Sequence, residues 1–148
     1  MKKKLLTQMV VLVLLLSSCG ADPTSQPEAD DDDKVSNKIL GQVFEWDIEV
    51  SAGTATAGDV VFAVANFGTI EHEFLVTKTT FEPGKIPLGS NNRFDEDLEG
   101  IEVIDEIPEW PVNDAKVLTV NLSPGTYELL CNLPGHYANG MHHTLIVE

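Results

Sequence analysis

Cysteine is scarce in this chain: of 148 residues only Cys19 and Cys131 carry a thiol. Basic residues are scarce as well, with nine Lys and Arg against 24 Asp and Glu. Three of the nine (Lys2, Lys3 and Lys4) lie in the extreme N-terminal stretch, so the rest of the chain carries 6 against 24, a formal charge of -18. A surface of that sign repels phosphates, which argues against a nucleic-acid partner. It argues equally against docking on an anionic lipid surface by charge. There is no internal repeat and no convincing long amphipathic helix. The one extended apolar run, "LLTQMVVLVLLL", is too short for a comfortable membrane span.

That run follows "MKKK" and is followed by "SSC", the pattern of an export signal with a small-residue cleavage site. Leu16-Ser17-Ser18-Cys19 resembles a bacterial lipobox, which implies that Cys19 becomes the lipid-modified first residue of the mature protein. The next stretch, "GADPTSQPEADDDDKVSN", is rich in Pro, Ser and Asp and has no apolar pattern, so it reads as a self-repelling tether. Its 18 residues reach about 60 Å at ~3.3–3.6 Å each. The expected organisation is a signal over residues 1–18, a lipidated cysteine and acidic linker over 19–37, and one folded domain over 38–148. With Cys19 modified, Cys131 has no disulfide partner. A lone thiol in an oxidising compartment calls for an explanation: a buried inert cysteine, a nucleophile or a metal ligand.

The domain reads as all-β. "QVFEWDIEVS" alternates, placing Phe44, Trp46, Ile48 and Val50 on one face. "AGDVVFAVANFG" does the same with Val60, Phe62 and Val64, and "EHEFLVT" with His72, Phe74 and Val76. "KVLTVNL", "YELLC" and "MHHTLIVE" complete a set of short, turn-punctuated strands at sandwich spacing, with Tyr127, Leu129 and Cys131 sharing a face. Residues 82–115 break this rhythm. "RFDEDLEG" suggests a turn of helix and "GIEVIDEI" a short strand. A connection this long is either functional or packed on the sheet. Glu71 and Glu73, flanking an inward His72, are expected to face solvent. After Met141, His142 is expected to be exposed and His143 partly covered.

Both His72 and Cys131 therefore point toward the space between two sheets. Alone, an inward histidine is usually satisfied by a carbonyl. Here "CNLPGHYANGM" adds Cys131, His136 and Met141 on a single loop between two strands, with Pro134-Gly135 and Asn139-Gly140 as turns. Three ligands from that loop and one from a distant strand make a closed set of one thiolate, two imidazoles and one thioether. Soft sulfur and imidazole select copper or zinc over magnesium and calcium, and the methionine favours copper.

The segments "NFGTIEHEF" and "SPGTYELLCNLPGHYANGM" resemble those of the cupredoxins, the blue copper family of plastocyanin, azurin, auracyanin and rusticyanin. The resemblance covers residues 38–148. It implies an eight-stranded Greek-key β-sandwich holding one type 1 copper, with His72, Cys131 and His136 in a near-trigonal plane and Met141 as a weak axial ligand. The chain departs from the common pattern at Glu73, where asparagine is frequent, and at Asn132, where serine or threonine is. The implied function is not enzymatic. It is a blue copper protein that carries single electrons, anchored through Cys19 to a bacterial membrane and facing the periplasm or the cell exterior. Capture of copper, or its delivery to a cuproenzyme, is the alternative. His136, ringed by Leu133, Pro134, Tyr137 and Ala138, is the expected electron port, and a basic cytochrome c or an oxidase the expected partner.

Overall fold

The computed structural model describes residues 37–148. The expected export signal, Cys19 and all but the last residue of the expected tether lie outside the described residues. Among the described residues nine strands run in order: β1 (Lys38–Phe44), β2 (Asp47–Val50), β3 (Thr54–Ala55), β4 (Gly58–Asn66), β5 (His72–Thr79), β6 (Ile101–Trp110), β7 (Ala115–Leu122), β8 (Gly125–Leu130) and β9 (His142–Val147). They form two sheets, ordered β2-β1-β4-β7 and β3-β9-β8-β5-β6. Each sheet is mixed: β1 runs parallel to β4 and β3 parallel to β9, and the other pairs are antiparallel. Among the described residues no helix is long and apolar enough to cross a membrane.

The inner faces interdigitate as the alternation requires. Val60, Phe62 and Val64 of one sheet meet Phe74, Val76 and Leu129 of the other, and the Phe62 and Phe74 rings lie 5.5 Å apart. Trp110 belongs to this core and donates its indole N–H to the Asp114 carbonyl at 3.2 Å.

The first strand departs from the sequence reading. A turn at Glu45-Trp46 splits "QVFEWDIEVS" into β1 and β2. The inward residues are Ile39, Gly41, Val43 and, beyond the turn, Ile48. Phe44 lies half-buried against Phe67, with ring centroids 6.1 Å apart, and Trp46 is exposed. Gly41 hides the true alternation because it contributes no side chain. A Cβ at this position would lie 3.1 Å from Val64 Cγ2, so a larger residue would need Val64 to give by a few tenths of an ångström.

Residues 80–100 form turns with no helix, and β6 is ten residues long, longer than the short strand expected. This excursion packs on the outer face of β5 and β8. Ile86 and Phe94 join Tyr137 over Leu75 and Leu130 in a second apolar cluster. Both faces of β5 are consequently buried from His72 to Thr77.

Candidate metal centre

His72 opens β5, paired with Trp110 of β6. The loop before it is braced by Asn66. Its side-chain carbonyl accepts from the Gly68 N–H at 2.9 Å, an Asx turn, and its amide donates to the Ile70 carbonyl at 2.9 Å. Cys131 follows the end of β8. Its N–H donates to the Met141 carbonyl at 3.1 Å, and the Met141 N–H donates to the His136 carbonyl at 3.2 Å. The "PGHYANG" segment between them is a tight coil around a 3-10 turn (Tyr137–Asn139). Gly135 and Gly140 occupy it at φ 86° and 118°, conformations that a side chain would strain. The loop thus returns on itself and brings its two ends and its middle together.

The donor atoms converge. Nδ1 of His72 lies 3.2 Å from Nδ1 of His136, and Sγ of Cys131 lies 3.2 Å from that same nitrogen. All three donors lie within 4.8 Å of one another, and all three residues are buried. Bonds of roughly 2.0–2.3 Å from nitrogen and sulfur to one metal ion keep donors on the order of 3–4 Å apart, so the spacing fits a shared ion. Met141 is fully buried in the same core cluster as Cys131. The backbone N–H of Glu73 points at Cys131 Sγ from 3.5 Å, a donor suited to a thiolate.

Burial governs the protonation of the group. It pushes the Cys131 thiol up to about 11, against the N–H groups of Glu73 and Leu133. It lowers both imidazoles, with the Glu45 charge opposing at His72 and the His72 charge adding at His136. The imidazoles therefore stand neutral with lone pairs available. Cys131 would lose its proton on binding a metal, whose charge would stabilise the thiolate.

Around this group lie residues that the sequence reading placed differently. Glu73 is 4 % exposed, not solvent-facing, because the excursion covers the outer face of β5. Burial raises its carboxyl to about 7, partly offset by the Asn132 N–H and the Arg93 charge, and one of its oxygens has no hydrogen-bond partner. Tyr137 does not ring His136 at the surface. It is buried in the second cluster, where its hydroxyl donates to Glu128 at 3.0 Å and accepts from the Ile86 N–H at 3.3 Å. The exposed aromatic beside His136 is Trp46, 5.1 Å away and edge-on. His142 is half-buried, with Nδ1 3.3 Å from Glu128, and is not part of the His72–Cys131–His136 group. Asn132 clasps the excursion: its side chain accepts from the Phe94 N–H at 3.0 Å and donates to the Phe94 carbonyl at 3.2 Å and to Glu96 at 2.9 Å.

No protein-family model matches the sequence, and a search of curated proteins finds no match. Solved structures do match. A reduced auracyanin from Roseiflexus castenholzii aligns with 77 % of this chain and 98 % of its own, at 20 % identity and a TM-score of 0.54. Rusticyanin from Thiobacillus ferrooxidans aligns over 75 % of this chain and 76 % of its own, at 21 % identity and a TM-score of 0.56. Auracyanin A, a "blue" copper protein of Chloroflexus aurantiacus, covers 75 % of this chain and 99 % of its own at 21 % identity, with a TM-score of 0.50. The chain has the cupredoxin fold. On that fold the His72–Cys131–His136 group can hold one type 1 copper ion, and its donor chemistry suits that metal. Sequence reasoning missed three neighbours of this centre: Glu45, Trp46 and Gly68. Only the Asx-turn pattern "NFG" before His72 hinted that the segment around Gly68 is structured.

Proposed function

We propose that this protein is a lipid-anchored blue copper protein that carries single electrons between redox partners. The observation that carries the reading is the convergence of three buried donors: the Cys131 thiol and His136 imidazole of a loop closed by its own backbone hydrogen bonds, and the His72 imidazole of β5. Copper bound there supplies a one-electron Cu(I)/Cu(II) couple. The chain's contribution is to hold the donors in one arrangement, so that little rearranges when the electron moves. Burial of every donor disfavours fast metal exchange, which supports this role over copper capture or delivery. His136, 6 % exposed, is the donor nearest solvent, and Trp46 beside it offers an apolar surface for brief contact. The acidic surface suits a basic partner, such as a cytochrome c or the docking face of an oxidase. Cys19 and the tether of residues 20–37 would hold the domain at an exported membrane face, in the periplasm or outside the cell.

The test is to add stoichiometric Cu(II) to residues 37–148. Asn37 is retained because its side chain accepts from the Thr56 N–H at 2.9 Å and donates to the Asp59 carbonyl at 3.0 Å. An intense visible band, lost in Cys131→Ser, a reversible voltammetric wave and slow copper loss to a chelator are expected. A colourless protein would refute the copper reading. A coloured protein that passes its copper rapidly to an acceptor would replace electron transfer with delivery.

A further inference from the structure

The geometry points to Glu45 as a positioning residue of the metal centre. Its carboxylate, held by two backbone N–H groups, fixes the His72 ring with Nδ1 toward the metal and biases the site toward Cu(II). This rests on the copper reading above. An imidazole can bind a metal through either nitrogen, and the hydrogen bond made by the other nitrogen selects which. Here Nδ1 of His72 faces Cys131 and His136, while Nε2 faces Oε1 of Glu45 at 3.4 Å. That nitrogen is buried and makes no hydrogen bond among the described residues, so the Glu45 carboxylate, at ion-pair distance, is the charged group that faces it.

Glu45 does not reach His72 by chance. It stands in the turn between β1 and β2, and Oε1 accepts from the N–H groups of Thr69 at 2.7 Å and Ile70 at 3.1 Å. These amides belong to the loop that leads into His72, so one oxygen ties the β1–β2 turn to the segment that delivers the ligand. Gly68 lies over the contact. A Cβ there would stand 2.6 Å from Oε1 and 2.7 Å from Nε2, so only glycine lets the backbone cover the pair this closely. His72 is fully buried, while the Glu45 side chain is 23 % exposed. The anion therefore has solvent on one side and the histidine on the other.

The consequence is electrostatic. With a thiolate ligand the site is neutral as Cu(I) and carries one positive charge as Cu(II). A carboxylate against the far side of His72 attracts the oxidised form and makes Nδ1 a better donor. Outer partners of this kind typically change metal affinity by about 10- to 100-fold.

The experiment compares Glu45→Gln and Glu45→Ala with the unsubstituted, copper-loaded protein. Glutamine keeps an oxygen for the Thr69 and Ile70 amides and removes the charge. The Gln variant is expected to keep its visible band and melting temperature while its preference for Cu(II) over Cu(I) falls about tenfold, a rise of ~59 mV in a one-electron potential. The readout without copper is the tautomer of His72 from long-range proton–nitrogen NMR of the copper-free protein. It should be the Nε2–H form in the unsubstituted protein and a mixture in the Ala variant. An unchanged potential in the Gln variant, or an unchanged tautomer in the Ala variant, would overturn the assignment. Failure of the unsubstituted protein to turn blue would instead refute the copper reading, and the tautomer measurement would still decide whether Glu45 orients His72.

Discussion

Replacing Glu73 by glutamine should flatten the pH dependence of the copper-free protein's stability. Glu73 is buried between β5 and the excursion, and its carboxyl is raised from 4.5 to about 7 by burial. Because the folded pKa lies above the unfolded one, the folded state holds this proton more tightly. The stability it contributes is complete below about pH 4.5 and is lost as the pH rises through about 7. At 1.36 kcal/mol per unit, the loss between pH 5 and pH 8 is roughly 2–3 kcal/mol. Glutamine does not titrate, so its variant should escape that loss. Its amide nitrogen would sit where a Glu73 oxygen now lacks a partner, at a cost of about 1–3 kcal/mol that is the same at both pH values. The informative quantity is therefore the difference between the two proteins' pH profiles, measured by urea unfolding at pH 5 and pH 8. Titration of His72 and His136 is common to both and cancels to first order. Parallel profiles would refute the reasoning and mean that Glu73 ionises freely in the folded protein.

Two further outcomes are expected. Met141→Leu conserves volume at a fully buried position, so it should cost under about 1.5 kcal/mol and keep a blue or blue-like spectrum while raising the reduction potential, since losing a weak axial donor disfavours Cu(II). His142→Ala should leave the spectrum alone. The reverse pattern, a strong spectral change in His142→Ala and an unmoved potential in Met141→Leu, would make His142 the fourth ligand. Cys19→Ala should shift the exported protein from the membrane to the soluble fraction or block its processing, and a variant that fractionates and migrates like the parent would disprove the lipid anchor.

Much of this centre was legible in the amino-acid order. Alternation in "EHEFLVT" and "YELLC" placed His72 and Cys131 on inward faces, and both occupy the core between the sheets. The spacing Cys131-x4-His136-x4-Met141, with glycines at two turns, carried the local closure of the loop, because those constraints act over a few residues and do not depend on the rest of the fold. What surrounds the ligands was decided only by tertiary structure. Alternation reports the buried face of a strand when the other face meets water. The excursion over residues 80–100 covers that second face, so Glu73 and Glu128 are buried at positions whose pattern reads as exposed. Trp46 and Glu45 likewise depend on where the β1–β2 turn falls, and Gly41 hid that turn by leaving a gap in the alternation. Glu45 meets His72 across 27 positions of sequence because separate strands bring the turn and the loop to the same end of the sandwich. No local periodicity encodes such a contact; it exists only once both sheets have packed.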